Sequence, residues 1–257
     1  MKILVPALAL AASTSAASAF EFLGGEAYLE GASTQLDSSG FTEEYTHIIV
    51  GGAGSFAITE QFGFDAYARL GQSEIDSVGF SYDLQNFGVS PWYQIAPQAR
   101  VGVFYEQHKA TFDSFDTDWT IYGIEGSYQF SEMFTLSAYA GQYDVEEFDQ
   151  SITTFGLLGE LTLKNGMIVS LSVEQDNYDE FDQEFTEVGL GLSYDFSQTS
   201  NVPIVLAGGY SQITENSLGD VSYGRFFIKV SYEFGKNGAP SNALLGNHGV
   251  VGDVTLD

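Results

Sequence analysis

The chain has 257 residues, no cysteine, and 35 acidic against 8 basic side chains, giving a formal net charge of −27 at pH 7. The lack of cysteine excludes disulfide scaffolds, cysteine-ligated metals and thiol nucleophiles. The acidic balance excludes nucleic acid as a partner, because phosphate binding requires a basic surface.

The first 19 residues have the pattern of a secretory signal peptide. Lys2 precedes an apolar stretch from Ile3 to Ala12, and Ala17-Ser18-Ala19 forms an A-x-A cleavage site before Phe20. The apolar stretch is too short to span a bilayer as an uncleaved anchor. We therefore expect residues 1–19 to be removed on export.

Short polar turn sequences then recur at a spacing of roughly 35 residues, a period typical of a repeated supersecondary unit. They are centred on Glu60, Pro97, Glu132, Asn165 and Ser200. Each unit contains two runs of alternating apolar residues, one on either side of a longer acidic loop. This is the pattern of a β-hairpin with one apolar and one polar face.

The alternation also predicts the register of each hairpin, because residues opposite one another in an antiparallel pair point to the same side of the sheet. Three-residue turns at 59–61, 96–98, 131–133 and 164–166 place apolar residues opposite each other. The predicted pairs include Phe56 with Phe64, Tyr93 with Val101, Ile95 with Ala99, Tyr128 with Leu136, and Leu161 with Val169. Gly166 then takes the left-handed position of its turn.

The count gives twelve strands, each reaching the ~9–11 residues that a tilted strand needs to cross a bilayer. We expect them at about 21–33, 45–58, 62–74, 80–95, 99–110, 118–130, 134–144, 151–163, 167–175, 185–196, 204–213 and 221–234. The sequence therefore predicts an all-β fold: a transmembrane antiparallel up-and-down β-barrel over residues 20–234, with short periplasmic turns and longer acidic extracellular loops. Residues 235–257, rich in Gly and Asn, are expected to form a flexible C-terminal tail.

The apolar face decides between a membrane barrel and a secreted sandwich, which would turn that face inward against a second sheet. It is rich in Gly, Ala, Phe and Tyr, and its aromatic residues crowd beside the short turns, as in Phe56, Phe64, Tyr128 and Phe234. Such crowding is typical of an aromatic girdle at a lipid–water boundary. We interpret the apolar face as lipid-facing.

The final strand carries a resemblance to a known group. In residues 225–234 the apolar positions alternate, and they are Phe226, Ile228, Val230, Tyr232 and Phe234. With the twelve-strand pattern, the chain resembles small porin-like outer-membrane β-barrel proteins of Gram-negative bacteria. The resemblance implies that these five residues are the signal for the barrel-assembly machinery, and that periplasmic chaperones, outer-membrane lipid and lipopolysaccharide are partners. In that family the aromatic residue usually ends the chain, whereas here a tail follows Phe234.

The polar face would line the lumen. Its ionisable residues include the predicted pore-lining set Glu26, Glu30, Asp65, Arg69, Arg100, Glu106, Glu125, Glu160, Glu187, Arg225 and Lys229, with Glu174, Asp195 and Glu233 as further acids. Acids outnumber bases, and carboxylates without partners need water around them. We therefore expect a hydrated channel for passive diffusion of small hydrophilic solutes, with a preference for cations. The alternative is a non-conducting barrel, closed by a loop and Glu–Arg pairs, that serves adhesion or lipopolysaccharide contact.

Catalysis and metal binding have weaker support. His47 and His108 lie near loop ends, and Asp113 follows His108, but no G-x-S-x-G nucleophile motif accompanies them. The acids of residues 144–149 lack EF-hand spacing. We expect no enzyme, no bound metal and no other cofactor. His248 receives no role from the sequence, and the oligomeric state stays open between monomer and trimer.

Overall fold

The computed structural model describes residues 20–38, 41–75, 77, 79–113, 115–145, 150–178, 183–215, 221–235, 244 and 248. The predicted signal peptide and most of the predicted tail lie outside these residues. The strands are β1 (Glu21–Ser38), β2 (Phe41–Ala57), β3 (Phe62–Ile75), β4 (Phe80–Ala96), β5 (Ala99–Thr111), β6 (Asp116–Gln129), β7 (Phe134–Val145), β8 (Gln150–Thr162), β9 (Met167–Tyr178), β10 (Gln183–Asp195), β11 (Ile204–Glu215) and β12 (Val221–Gly235). A short helix, α1 (Ser197–Ser200), lies between β10 and β11.

The twelve strands form one closed antiparallel barrel in which every strand pairs with its neighbours along the chain. β1 closes the barrel by pairing with both β2 and β12, so that Leu29 lies between Val50 and Val230. Closure leaves no unpaired sheet edge, which is the requirement for a β-structure in lipid. The predicted fold class and strand count are confirmed.

Most of the predicted registers are confirmed as well. Phe56 pairs with Phe64, Tyr128 with Leu136, and Leu161 with Val169. Gly166 has a φ of +83°, in the left-handed region that glycine adopts without strain. Hydrophobic alternation was therefore sufficient to align these hairpins.

The turn between β4 and β5 is tighter than predicted. Ala96 pairs with Ala99, so only Pro97 and Gln98 lie between them, and the register shifts between Gln94 and Ala96. The predicted pairing of Ile95 with Ala99 is wrong. Pro favours the first central position of a two-residue turn, and the residue this leaves over is accommodated as an irregularity of the β-bulge type.

Strand pairing also continues beyond the predicted ends on the side of the long loops. β1 runs to Ser38 and β2 begins at Phe41, with Ser38 opposite Phe41. Polar residues dominate this extension, so it carries no apolar alternation that could reveal it. Backbone hydrogen bonds hold the extension irrespective of which side chains it bears.

The outer surface of the barrel carries an apolar belt. Exposed side chains include Ile124 at 64%, Ile48 at 62% and Leu190 at 59% of full exposure. Near the short turns the rings pack on each other, as Phe56 does on Phe64, with centroids 5.0 Å apart. None of the helices in the described part of the chain is long and apolar enough to cross a membrane.

Candidate functional site in the barrel interior

The interior of the barrel has two unlike sides. On β3 to β7 the inward-facing side chains are mostly buried and packed together, and we call this side the packed wall. On β9 to β12 many inward-facing side chains are small and partly exposed. The two sides together decide how much of the lumen is open.

Ion pairs stabilise the packed wall. Asp65 is fully buried and accepts hydrogen bonds from the Arg100 guanidinium, from the Ser55 hydroxyl at 2.6 Å and from the Trp92 indole N–H at 3.2 Å. The Arg100 guanidinium lies over the Trp92 ring, 4.3 Å from its centroid. This arrangement compensates the charge of a carboxylate taken out of water.

Two further ion pairs join β12 to β1 inside the barrel. Arg225 donates to Glu30 at 2.7 Å, and Lys229 donates to Glu26 at 2.9 Å. Arg100, Arg225 and Lys229 are thus each bound to an acid from the predicted pore-lining set. Arg69 lies on β3 opposite Asn86 of β4 and is partly buried.

Apolar side chains fill part of the interior, whereas the sequence predicted a mostly polar lumen. Ile121, Tyr143 and Ile152 are almost fully buried inside the barrel. The buried cluster comprises Tyr82, Phe104, Ala110, Trp119, Ile121, Tyr139, Tyr143, Val145, Ile152 and Leu244. Leu244 belongs to the segment after β12, so at least this residue of the predicted tail lies inside the barrel.

His248 is the second described residue of that segment, and it too is buried in the interior, at 1% exposure. Its Nδ1 lies 2.6 Å from a Glu106 carboxylate oxygen, and its Nε2 lies 3.1 Å from a Glu125 oxygen. The ring stacks on Phe104 with centroids 3.7 Å apart and planes 1° from parallel, and it meets the Tyr139 ring edge-on at 4.8 Å. We call Phe104, Glu106, Glu125 and Tyr139 the His248 site.

The carboxylates of the His248 site are held by further hydrogen bonds. Glu106 accepts from the Tyr67 hydroxyl at 2.9 Å and lies 3.2 Å from Nε2 of His108. Glu125 accepts from the Ser90 hydroxyl. These partners fix both carboxylates independently of His248.

Charge governs the protonation of His248. Burial lowers the pKa of its imidazole, but the carboxylates of Glu106 and Glu125 outweigh burial and raise the pKa to about 9. An ionised carboxylate only accepts hydrogen bonds, so each ring nitrogen must donate, and the ring is an imidazolium cation at neutral pH.

The inward-facing side chains of β9 to β11 include smaller ones than those of the packed wall. Ser170, Ser172, Gly191, Ser193, Ala207 and Gly209 face inward, because their neighbours Leu171, Leu190, Leu192 and Leu206 are exposed on the outside. We call these six residues the open wall. Gly191 is the partner of both Ser170 and Gly209, so small residues are adjacent across three strands. Their side chains are smaller than those of the packed wall, and the Phe227 ring of β12 lies over Gly209.

Two carboxylates lie next to the open wall. Glu174 and Glu187 are direct partners across β9 and β10, and the Tyr139 hydroxyl donates to Glu174 at 3.0 Å. Directly opposed residues have Cβ atoms about 4.5–5.5 Å apart, so two carboxyl groups face each other at this level. Glu160, on β8, is also partly exposed.

His47 and His108, which the sequence placed near loop ends, are both buried. His108 is fully buried, and its ring stacks on Trp119 at 5.3 Å. His47 lies between the Thr34 hydroxyl at 3.1 Å and the Ser73 hydroxyl at 2.6 Å. Sequence reasoning missed His248, since a single histidine in a segment without periodicity carries no local signal.

No protein-family model matches the sequence, and no curated protein matches it. Solved structures do match the fold. The COG4313 outer membrane channel from Pseudomonas putida F1 has a TM-score of 0.59 at 10% identity, over 83% of this chain and 95% of that channel. The KdgM porin in complex with disordered oligogalacturonate has a TM-score of 0.52 at 9% identity, over 80% of this chain and 99% of the porin.

A Pseudomonas aeruginosa FadL homologue gives a TM-score of 0.52 at 8% identity, over 81% of this chain and 90% of the homologue. Identities this low concern the fold and not the solute. With its closed twelve-strand topology, the chain has the fold of the outer-membrane porins and channels.

Proposed function

We propose that the protein is a channel of the outer membrane of a Gram-negative bacterium, through which small hydrophilic solutes diffuse passively. The observation that carries the proposal is the inverted polarity of the barrel. Apolar side chains such as Leu29, Ile48 and Ile124 are exposed outside, whereas ion pairs such as Asp65–Arg100 lie inside. This polarity suits a barrel surrounded by acyl chains and filled with water.

The open wall supplies the route. Its serines, glycines and alanine are small, face inward and are partly exposed, so they obstruct a solute less than the large side chains of the packed wall do. The fold neighbours support the proposal too, because they are porins and channels, one of them solved with oligogalacturonate.

We further propose that the channel prefers cations. The predicted inner face carries more acids than bases, and two of these acids, Glu174 and Glu187, face each other beside the open wall. A pair of carboxylates along a solute path attracts cations and repels anions.

Planar-bilayer recording of the refolded full chain tests both proposals. We expect discrete open-channel steps, and a reversal potential in a KCl gradient that indicates cation preference. The double variant Glu174→Gln/Glu187→Gln should lower that preference, since it removes two charges beside the path. Glu132→Gln, in an exposed short turn, is the matched control and should behave like wild type.

Absence of steps from correctly refolded protein, including a His248→Ala variant, would reject the channel. A reversal potential that is the same in the double variant and in wild type would remove the cation preference and leave the channel intact.

A non-conducting barrel for surface interaction is the second candidate function, and one observation favours it. The packed wall, together with Leu244 and His248, occupies part of the interior with buried side chains. The same recordings distinguish the two candidates, because a barrel for adhesion or lipopolysaccharide contact shows no conductance steps in either wild type or His248→Ala.

We infer that assembly uses β12. Phe226, Ile228, Val230, Tyr232 and Phe234 all lie on the outer face and are exposed. This supports their role as the signal for the barrel-assembly machinery after chaperone-assisted export. Replacing Tyr232 and Phe234 by Ser should lower the yield of heat-modifiable barrel in outer-membrane fractions, and an unchanged yield would reject this role.

A further inference from the structure

We propose that Phe104, Glu106, Glu125 and Tyr139 form a binding site for flat heteroaromatic cations of the imidazolium class, which His248 occupies as a tethered ligand. The site lies inside the barrel and is built by β5, β6 and β7. The inference goes beyond the proposed channel and does not rest on conduction.

The shape of the site matches a planar cation with two N–H donors. Glu106 and Glu125 accept from opposite nitrogens of one ring, at 2.6 and 3.1 Å. A neutral imidazole has one bare nitrogen, which would face an acceptor with no proton between them. The two carboxylates therefore select the cationic form of the ring.

Aromatic surfaces supply the remaining walls. The Phe104 ring is parallel to the imidazole at 3.7 Å, and the Tyr139 ring meets it edge-on at 88°. A cation over an aromatic face is attracted by the ring quadrupole, more strongly when both are out of water. A compact ion such as Na⁺ would leave the face of Phe104 uncovered, so the site favours flat rings over point charges.

Two glycines hold Phe104 in its place. A Cβ added to Gly123 would lie 2.8 Å from the tip of the Phe104 ring, and one added to Gly141 would lie 2.9 Å from it. Real Cβ contacts are not so short, so only glycine lets this ring lie against β6 and β7. With Glu106 and Glu125 held by Tyr67 and Ser90, the walls of the site are formed by the strands alone.

His248 itself is not part of these walls, since it is 142 residues from Glu106 in the chain. Removing its side chain leaves two buried carboxylates and an uncovered aromatic face. The truncation takes one positive charge and two N–H donors away from these buried carboxylates, so the vacated site should take up a replacement cation. A tethered group competes at about millimolar effective concentration, so free cations bind the wild-type protein more weakly.

Calorimetry on the full chain in detergent micelles tests the proposal, with imidazole at pH 6 as the cationic probe. We expect His248→Ala to bind one imidazolium per barrel, at least about ten-fold more tightly than wild type does, because the tethered competitor is gone. Pyrazole is the matched probe, a ring of the same size with two nitrogens that stays uncharged at this pH. It should bind at least about ten-fold more weakly, since it cannot donate from both nitrogens.

Further substitutions test the walls of the site, each made in the His248→Ala variant. His248→Ala/Glu125→Gln and His248→Ala/Phe104→Leu should each lose imidazolium binding, whereas His248→Ala/Glu160→Gln, which removes an interior carboxylate elsewhere, should keep it. Heat-modifiable mobility on gels checks that each barrel is folded, and the two wall variants act as independent tests if one fails to fold.

Three results would overturn the proposal: equal imidazolium affinity in wild type and His248→Ala, equal affinity for pyrazole, or retention of binding in both wall variants. Bilayer recordings separate this outcome from that of the proposed function. A barrel that binds imidazolium but shows no conductance would reject only the proposed channel. A barrel that conducts but does not bind imidazolium would reject only the proposed binding site.

Discussion

The packed wall and the open wall belong to one barrel with one strand geometry, yet they use its interior in opposite ways. Inward-facing Trp119, Ile121 and Tyr143 are almost fully buried, whereas inward-facing Ser172, Gly191 and Ser193 are partly exposed. Strand number sets the diameter of a barrel, but the volume of the side chains inside sets what remains of the lumen. For the proposed channel we therefore expect the solute route to lie off-centre, along β9 to β11.

Ion pairs inside the barrel differ in how far they are exposed to water. Asp65–Arg100 lies in the packed wall with Asp65 at 0% exposure, whereas the side chains of Lys229 and Glu26 are 25% and 15% exposed. A charge left alone in a buried position loses far more than a charge that water reaches. Breaking the ion pair in the packed wall should accordingly cost more stability than breaking the pair that joins β12 to β1.

The largest expected effect is on stability. Asp65→Ala removes the buried carboxylate to which the Arg100 guanidinium donates, and we expect the free energy of unfolding to fall by about 3–5 kcal/mol. Glu26→Ala, at the more exposed pair, should cost about 1 kcal/mol or less. Urea unfolding of the refolded barrels in lipid vesicles measures both. Equal losses in the two variants would abolish the energetic distinction between the pairs.

The next effect is on conduction. Ser193→Phe adds a large side chain to the open wall, and we expect the single-channel conductance to fall several-fold, because the added ring narrows the lumen beside β10. Leu192→Phe, on the outer face of the same strand, is the control and should conduct like wild type. If Ser193→Phe leaves the conductance unchanged, the solute route lies elsewhere.

The smallest expected effect is the pH dependence with which His248 of the tail binds to the packed wall. Because the pKa of His248 rises from 6.5 to about 9 in its site, charge stabilises its docking fully below about pH 6.5, and this stabilisation is lost as the pH rises through about 9. Ring ¹⁵N shifts from histidine-labelled protein measure the titration, with His248→Ala assigning the signal.

Glu125→Gln should move this titration toward lower pH, since one of the two carboxylates loses its charge. A His248 signal that titrates near 6.5 in wild type would contradict the site geometry. Among the described residues, the titratable or charged side chains near the His248 residue or its carboxylates include Glu106, His108 and Arg100 on β5, Glu125 on β6, Tyr139 and Tyr143 on β7, and Tyr67 on β3.

Much of the fold follows from the alternation of apolar residues. Pairs such as Phe56 with Phe64 and Leu161 with Val169 were predictable, because a shift of one residue would turn every apolar side chain to the wrong face. The turn at Pro97 was not, since a bulge at Ile95 changes the turn length without disturbing the faces beyond it.

The candidate site was predictable only in part. The sequence assigned Glu106 and Glu125 to the inner face but gave no reason to single them out among the other acids. Glu106 and Glu125 differ from the other interior acids because they form a site with His248, Phe104 and Tyr139. These residues come together only in the closed barrel. No spacing along the chain relates a tail histidine to strands more than a hundred residues earlier.

The sequence by itself determined the twelve strands, their faces and nearly all their registers, because the alternation of side chains in a strand is a local property repeated along each hairpin. Only the tertiary structure decided which charges meet inside, how the large and small residues divide the lumen, and that Leu244 and His248 lie within it. Those outcomes depend on contacts across the closed barrel, where residues far apart in the chain share one confined volume.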